Sequence, residues 1–168
     1  MYEIKLDQLF LNEGSRKEIN HEADLTAKDN DGALLFRKPV SITGSIQNEA
    51  RIVTITAMIS ADYYAVCDRC ACDVVKHLSV PMEHTLVREL NSVVDADEYI
   101  VVPELKLDLD ALAEEDLLLE LPSKVLCSND CKGLCPQCGK NLNEGPCGCE
   151  KPVDPRLESL AALLTEDE

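Results

Sequence analysis

Residues 40–59 read VSITGSIQNEARIVTITAMI. The runs at 40–46 and 52–59 are rich in Val, Ile and Thr, and the stretch between them, 47–50, is polar. β-branched side chains crowd a helix but pack well on a pleated surface, so two such runs around a short polar connection predict a hairpin. The pattern extends on both sides. Tyr2, Ile4 and Leu6 alternate, and runs at 63–66, 74–87 and 99–102 add further strands. Pro81 has no N–H to give to a ladder, so it is expected at an edge, a bulge or a break. An antiparallel sheet is the economical arrangement of these runs.

Beyond them the periodicity changes. Asp110 offers a capping carboxylate, Glu114 and Glu115 follow, and Leu112, Leu117, Leu118, Leu119 and Leu121 supply apolar surface before Pro122. This predicts a short acidic helix over 110–121. A second short helix is expected after Asp154 and Pro155, with Leu157, Leu160, Ala161 and Leu164 on one face and a fraying tail at 166–168. The fold expected is α+β: mainly antiparallel β-sheet with a short acidic helix and a zinc-knuckle segment. It divides into a β-rich core over 1–122, a cysteine-rich segment over 123–151, and a C-terminal short helix and tail over 152–168.

The chain has 168 residues, 45% of them apolar, enough to bury about 70% of its unfolded surface. No run approaches the roughly 20 apolar residues that span a bilayer, and the N-terminal stretch lacks a basic region followed by an apolar one, so no membrane contact and a cytoplasmic location are expected. Its formal charge is −16, from 32 acidic against 16 basic residues, which opposes non-specific coating of nucleic acid and favours a basic partner. The acidity is local. Residues 92–122 hold ten carboxylates against the single Lys106, whereas 123–151 carries Lys124, Lys132, Lys140 and Lys151 against Asp130, Glu144 and Glu150.

Nine cysteines in a chain read as cytoplasmic point to metal ligation or redox chemistry rather than to disulfides. They form two clusters: Cys67, Cys70 and Cys72, then Cys127, Cys131, Cys135, Cys138, Cys147 and Cys149. Cys135-Pro136-Gln137-Cys138-Gly139 has the form of a zinc knuckle, in which two thiolates reach one tetrahedral ion from a tight turn. Cys147 and Cys149 are the nearest candidates to complete it. Cys67-Asp68-Arg69-Cys70 has the same spacing and follows a predicted strand, and Cys127 and Cys131 are candidates to complete that site. Two four-cysteine sites result, although one site drawing on both clusters also fits, so one or two zinc ions are expected. Four thiolates leave no position for water, which makes such a site structural. Cys72 is left over and reads as a small buried hydrophobe.

Catalytic signatures are absent. The chain has no Gly-x-Ser-x-Gly elbow, no phosphate-cradling glycine loop and no His-Glu-x-x-His, and His21, His77 and His84 stand apart from any nucleophile; a non-enzyme is expected. Arg16, Lys17, Arg37, Lys38 and Arg51 leave direct RNA contact open, but four Tyr, two Phe and no Trp provide little for base stacking.

The Cys67-x-x-Cys70 pair, the stretch LDLDALAEEDLLLELP at 107–122 and the block CKGLCPQCGKNLN at 131–143 together resemble the YceD family, the large ribosomal RNA subunit accumulation proteins. The resemblance covers about residues 30–164. It implies a bacterial cytoplasmic protein that supports accumulation of the large-subunit (23S) ribosomal RNA. The expectation carried forward is a non-catalytic ribosome biogenesis factor whose acidic surface receives a basic ribosomal protein or a large-subunit precursor. A thiol-based redox or zinc-sensing protein is the second reading, and a transcription-associated zinc module the third.

Overall fold

In the computed structural model, which describes residues 2–28, 32–89 and 99–149, the hairpin consists of β3 (Val40–Glu49) and β4 (Ile52–Val66). The two strands pair antiparallel from Ser41 opposite Ser60 to Glu49 opposite Ile52. Their link is Ala50 and Arg51, with φ of 51° and 67°. Left-handed backbone at both central residues is what a two-residue hairpin turn needs to match the twist of its strands, and here it is adopted without glycine or asparagine. The runs at 52–59 and 63–66 form one strand rather than two, because Ser60, Ala61 and Asp62 between them still pair with Ser79, Leu78 and His77 of β5 (Asp73–Val87).

Two more strands complete the sheet. β2 (Arg16–Ala23) lies antiparallel on the outer side of β3, and β6 (Tyr99–Val101) runs parallel to the end of β5, giving the order β2-β3-β4-β5-β6. That parallel pair is the one departure from the antiparallel expectation among the described strands. β6 reaches only Thr85 to Val87, so β5 is an edge strand where Pro81 lies opposite Met58. A second, two-stranded sheet joins β1 (Glu3–Lys5) to β7 (Lys106–Asp108), and a single helical turn, α1 (Asp7–Leu11), follows β1.

The helix α2 spans Leu109–Leu119 rather than 110–121. Asp108, not Asp110, is the cap: its carboxylate accepts the Ala111 N–H at 3.2 Å. Asp110 is engaged instead with the His21 ring on β2 at 2.8 Å. The Glu120 N–H closes the last turn on Asp116, leaving Leu121 outside the helix. Leu109, Leu112, Ala113 and Leu117 are buried and belong to the same core as Ile42, Ile46, Ile55, Ile59, Met82 and Leu86 of the sheet. Each Leu, Ile or Met among them contributes about 1.5–3 kcal/mol when removed from water. Gly44 faces Ala57 so closely that a Cβ there would run into the Ala57 Cα and the Thr56 carbonyl. Any side chain at 44 would pry β3 from β4. The helix expected after Asp154 lies outside the described residues.

Candidate metal centre

The long β4–β5 hairpin ends in a turn made by Cys67, Asp68, Arg69, Cys70, Ala71 and Cys72. Its closure is local: the Cys67 N–H binds the Cys72 carbonyl at 2.8 Å and the Ala71 N–H binds the Cys67 carbonyl at 2.9 Å. Ala71 has φ of 56°, the conformation normally given to glycine. Cys135 to Lys140 repeats this pattern. The Cys135 N–H binds the Lys140 carbonyl at 2.8 Å, the Gly139 N–H binds the Cys135 carbonyl at 2.9 Å, and Gly139 has φ of 71°. Both turns bring the sulfurs of their two cysteines within 4.8 Å of each other.

The segment that follows α2 docks on the first turn. The Asp68 N–H binds the Val125 carbonyl at 2.9 Å while the Asp68 carboxylate accepts the Val125 N–H at 2.7 Å. The Arg69 carbonyl accepts the Leu134 N–H at 3.0 Å, and the Arg69 guanidinium donates to the Cys131 carbonyl at 2.8 Å. Gly133, at φ 74°, passes directly over Arg69, where a Cβ would come to 2.9 Å from the Arg69 carbonyl oxygen. These contacts bring the distant cysteines to the hairpin end. The sulfur of Cys131 lies 3.8 Å from that of Cys67, and the sulfur of Cys127 lies 3.6 Å from that of Cys70.

The thiols form two groups. The sulfurs of Cys67, Cys70, Cys72 and Cys127 all lie within 4.8 Å of one another, and so do those of Cys135, Cys138, Cys147 and Cys149. A tetrahedral zinc ion with Zn–S bonds near 2.3 Å spaces its sulfurs by about 3.8 Å, so both groups carry soft donors close to the spacing of such an ion, and the Cys70–Cys72 pair, at 3.2 Å, would open slightly to share one. Cys131 touches the first group through Cys67. Cys72, read from the sequence as a filler, is a member: its sulfur lies 3.2 Å from that of Cys70. The C-x-C spacing is the only sequence signal for it. His77 is engaged with Asp62 at 3.2 Å, and His84 with Asp116 at 2.9 Å.

The proton affinities of the thiols diverge within each group. Burial opposes ionisation of Cys67, yet the N–H groups of Arg69, Cys127 and Cys70 around its sulfur bring it down to about 6. Cys135, facing the Cys138 and Gln137 N–H groups, also falls to about 6. Cys131 is lowered by the Asn143 side-chain amide, which donates to its sulfur at 3.3 Å. Their neighbours move the other way. The Cys131 sulfur pushes Cys127 up to about 11, and the Cys138 sulfur pushes Cys149 up to about 12. The N–H of Cys72 favours the Cys70 thiolate, but the Cys72 thiol, burial and the adjoining sulfurs outweigh it and raise Cys70 strongly. Packed thiolates repel one another, and a divalent cation held at the centre of either group would let all four shed their protons.

Elsewhere the outer side of α2 carries Glu114 and Glu115 beside Leu118 and Leu119, the last 77% exposed, around a shallow cavity of about 360 Å³. The acidic residues 95, 97 and 98 lie outside the described residues. Among the described residues no helix is long and apolar enough to cross a membrane.

Residues 55–164 match the family model described as "Large ribosomal RNA subunit accumulation protein YceD". The chain is 26% identical over 134 residues to the uncharacterized protein YlbN of Bacillus subtilis, covering 77% of each chain. It is 28% identical over 122 residues to the uncharacterized protein Rv2926c of Mycobacterium tuberculosis, covering 71% of this chain and 59% of that one. A Mycobacterium leprae protein, ML1660, is 25% identical over 132 residues, covering 77% of this chain and 61% of its own length. The chain thus spans about three fifths of these mycobacterial relatives. No solved structure matches it.

Proposed function

The chain belongs to the YceD family of large ribosomal RNA subunit accumulation proteins, and from that premise we propose that it is a cytoplasmic, non-catalytic factor in assembly of the large ribosomal subunit. In this reading it offers the carboxylate-rich outer side of α2 to a basic ribosomal protein or to a large-subunit precursor. Zinc is held by Cys67, Cys70, Cys127 and Cys131 at one site and by Cys135, Cys138, Cys147 and Cys149 at the other. The ions contribute folding energy: structural zinc is worth on the order of 10–16 kcal/mol of apparent binding free energy, enough to order a segment with few buried apolar residues of its own. Of residues 123–149, only Val125, Cys131 and Cys135 are in the buried apolar set.

The observation that carries this reading is the docking of 125–134 on the hairpin end through Asp68 and Arg69, which ties both cysteine groups to the sheet that bears α2. Burial favours ligation over thiol exchange, because Cys67 is 2% exposed and Cys135 6%, whereas a redox thiol of low pKa must be open to its partner disulfide.

The test is co-sedimentation with large-subunit precursors at low salt, comparing the natural chain with a Glu114→Gln/Glu115→Gln/Glu120→Gln variant. The charge-neutral variant is expected to lose association, as the natural chain should when salt screens the contact. Undiminished association would contradict the docking role of α2.

A further inference from the structure

Nine cysteines supply two four-thiolate sites and one sulfur more. The surplus sulfur is not remote. Five thiols gather at the hairpin end, and three of them, Cys67, Cys70 and Cys127, are common to the set expected from the sequence and to the set whose sulfurs all lie within 4.8 Å of one another. The fourth place has two claimants on different parts of the chain. Cys131 lies 3.8 Å from Cys67, on the segment that leads to the second knuckle. Cys72 lies 3.2 Å from Cys70, on the hairpin turn itself, and satisfies the mutual 4.8 Å spacing with the three constant sulfurs.

We propose that Cys72 and Cys131 are alternative fourth ligands of one zinc ion, so that the site passes between two four-sulfur states without releasing its metal. The inference rests on the zinc reading above. In the exchange one zinc–sulfur bond to Cys131 breaks and one to Cys72 forms, while the proton leaving the Cys72 thiol ends on Cys131. Charge and oxidation state are unchanged, and no oxidant or reductant takes part.

The backbone permits both states. Cys72 stands at the fixed end of the turn, where its carbonyl holds the Cys67 N–H, and the left-handed Ala71 swings its side chain back toward Cys70. Cys131 has its own support when it leaves the ion, because the Asn143 amide already donates to its sulfur and Arg69 to its carbonyl. The consequence is mechanical. With Cys131 as ligand, the ion ties the 131–149 segment to the hairpin; with Cys72 as ligand, the ion belongs to the hairpin and residue 127, and the segment is held by hydrogen bonds alone. A partner that moves the second knuckle therefore does not expel the first ion.

The experiment is alkylation of the zinc-loaded natural chain under native conditions, with metal counted in the same sample and the labelled peptides identified by mass spectrometry. Two ions per chain and one reacting thiol, its label divided between the Cys72 and Cys131 peptides, are the expected result. Buried Cys131 reacts only if it leaves the ion. Label confined to either peptide, or found on neither, overturns the exchange while two bound ions leave the zinc reading standing; fewer than two ions contradicts the zinc reading itself. As a second measure, cobalt-loaded Cys131→Ser is expected to keep the sulfur-to-cobalt charge-transfer intensity of four thiolates at each site, whereas Cys72→Ser/Cys131→Ser loses one sulfur's share. A loss in Cys131→Ser alone equal to that of the double variant overturns the proposal.

Discussion

Ala71 and Gly139 hold equivalent places in two turns with the same hydrogen-bond pattern, each donating its N–H to the carbonyl of the cysteine four residues earlier, at 2.9 Å. Both are left-handed, at φ 56° and 71°. Only one of them is glycine. A left-handed residue with a Cβ costs roughly 1–2 kcal/mol, part of which glycine returns as entropy of the unfolded chain.

Ala71→Gly is therefore expected to stabilise the zinc-loaded chain by about 0.5–1 kcal/mol, and Gly139→Ala to destabilise it by about 1 kcal/mol. Nothing lies within 4 Å of a Cβ at 139, so the loss there would be conformational rather than steric. Thermal unfolding checks both, since ~1 kcal/mol moves Tm by about 2–4 °C in a chain of this size. A fall in Tm for Ala71→Gly would contradict the account of the turn.

Arg69 joins the hairpin end to the segment that carries Cys131. Arg69→Ala removes the guanidinium bond to the Cys131 carbonyl but leaves the Arg69 carbonyl bond to the Leu134 N–H. Outer-shell contacts of this kind are worth about 10–100-fold in metal affinity. Chelator competition should show a loss of that order at the Cys67 site and little change at the Cys135 site. Equal losses at both would mean that Arg69 acts on folding in general.

Two histidine–carboxylate pairs fasten α2 to the sheet, His21 with Asp110 at 2.8 Å and His84 with Asp116 at 2.9 Å. Burial opposes ionisation of Asp110, but hydrogen bonding and positive charge around it, including the His21 ring, hold its carboxyl below the usual carboxylate range. A lowered carboxyl stabilises the fold above its unfolded pKa, near 3.9, and that contribution is lost as pH falls through the lower folded value. Asp110→Asn should thus lower Tm by about 2–4 °C at neutral pH, the effect of losing ~1 kcal/mol, and the difference from the natural chain should shrink below about pH 4. A difference that grows on acidification would contradict the sign.

The hairpin at 40–59 and the two knuckle spacings were legible because their signals are local: β-branched runs for one, two residues between cysteines for the other. β2 was not. Its sequence, RKEINHEA, buries only Ile19 and Ala23, the signature of an edge strand whose partner supplies the order. The parallel pairing of β6 with the end of β5 is likewise a relation between two segments that neither segment encodes. Asp110, the cap expected from the sequence, is engaged with His21, 89 residues away, and Asp108 caps α2 in its place. Cys72 was read as a filler because its place beside Cys70 depends on a left-handed alanine, a conformation that no pattern of apolar residues announces.

In the proposed function, metal orders a segment that has little core of its own. Amide hydrogen exchange before and after removal of metal by a chelator tests this most directly. The Asp68, Leu134, Cys135 and Leu142 amides, all bonded within or onto the cysteine-rich segment, are expected to lose protection while those of Ile46 and Ile55 in the sheet keep it. Unchanged protection of all of them in a metal-free chain would contradict the ordering role of the metal.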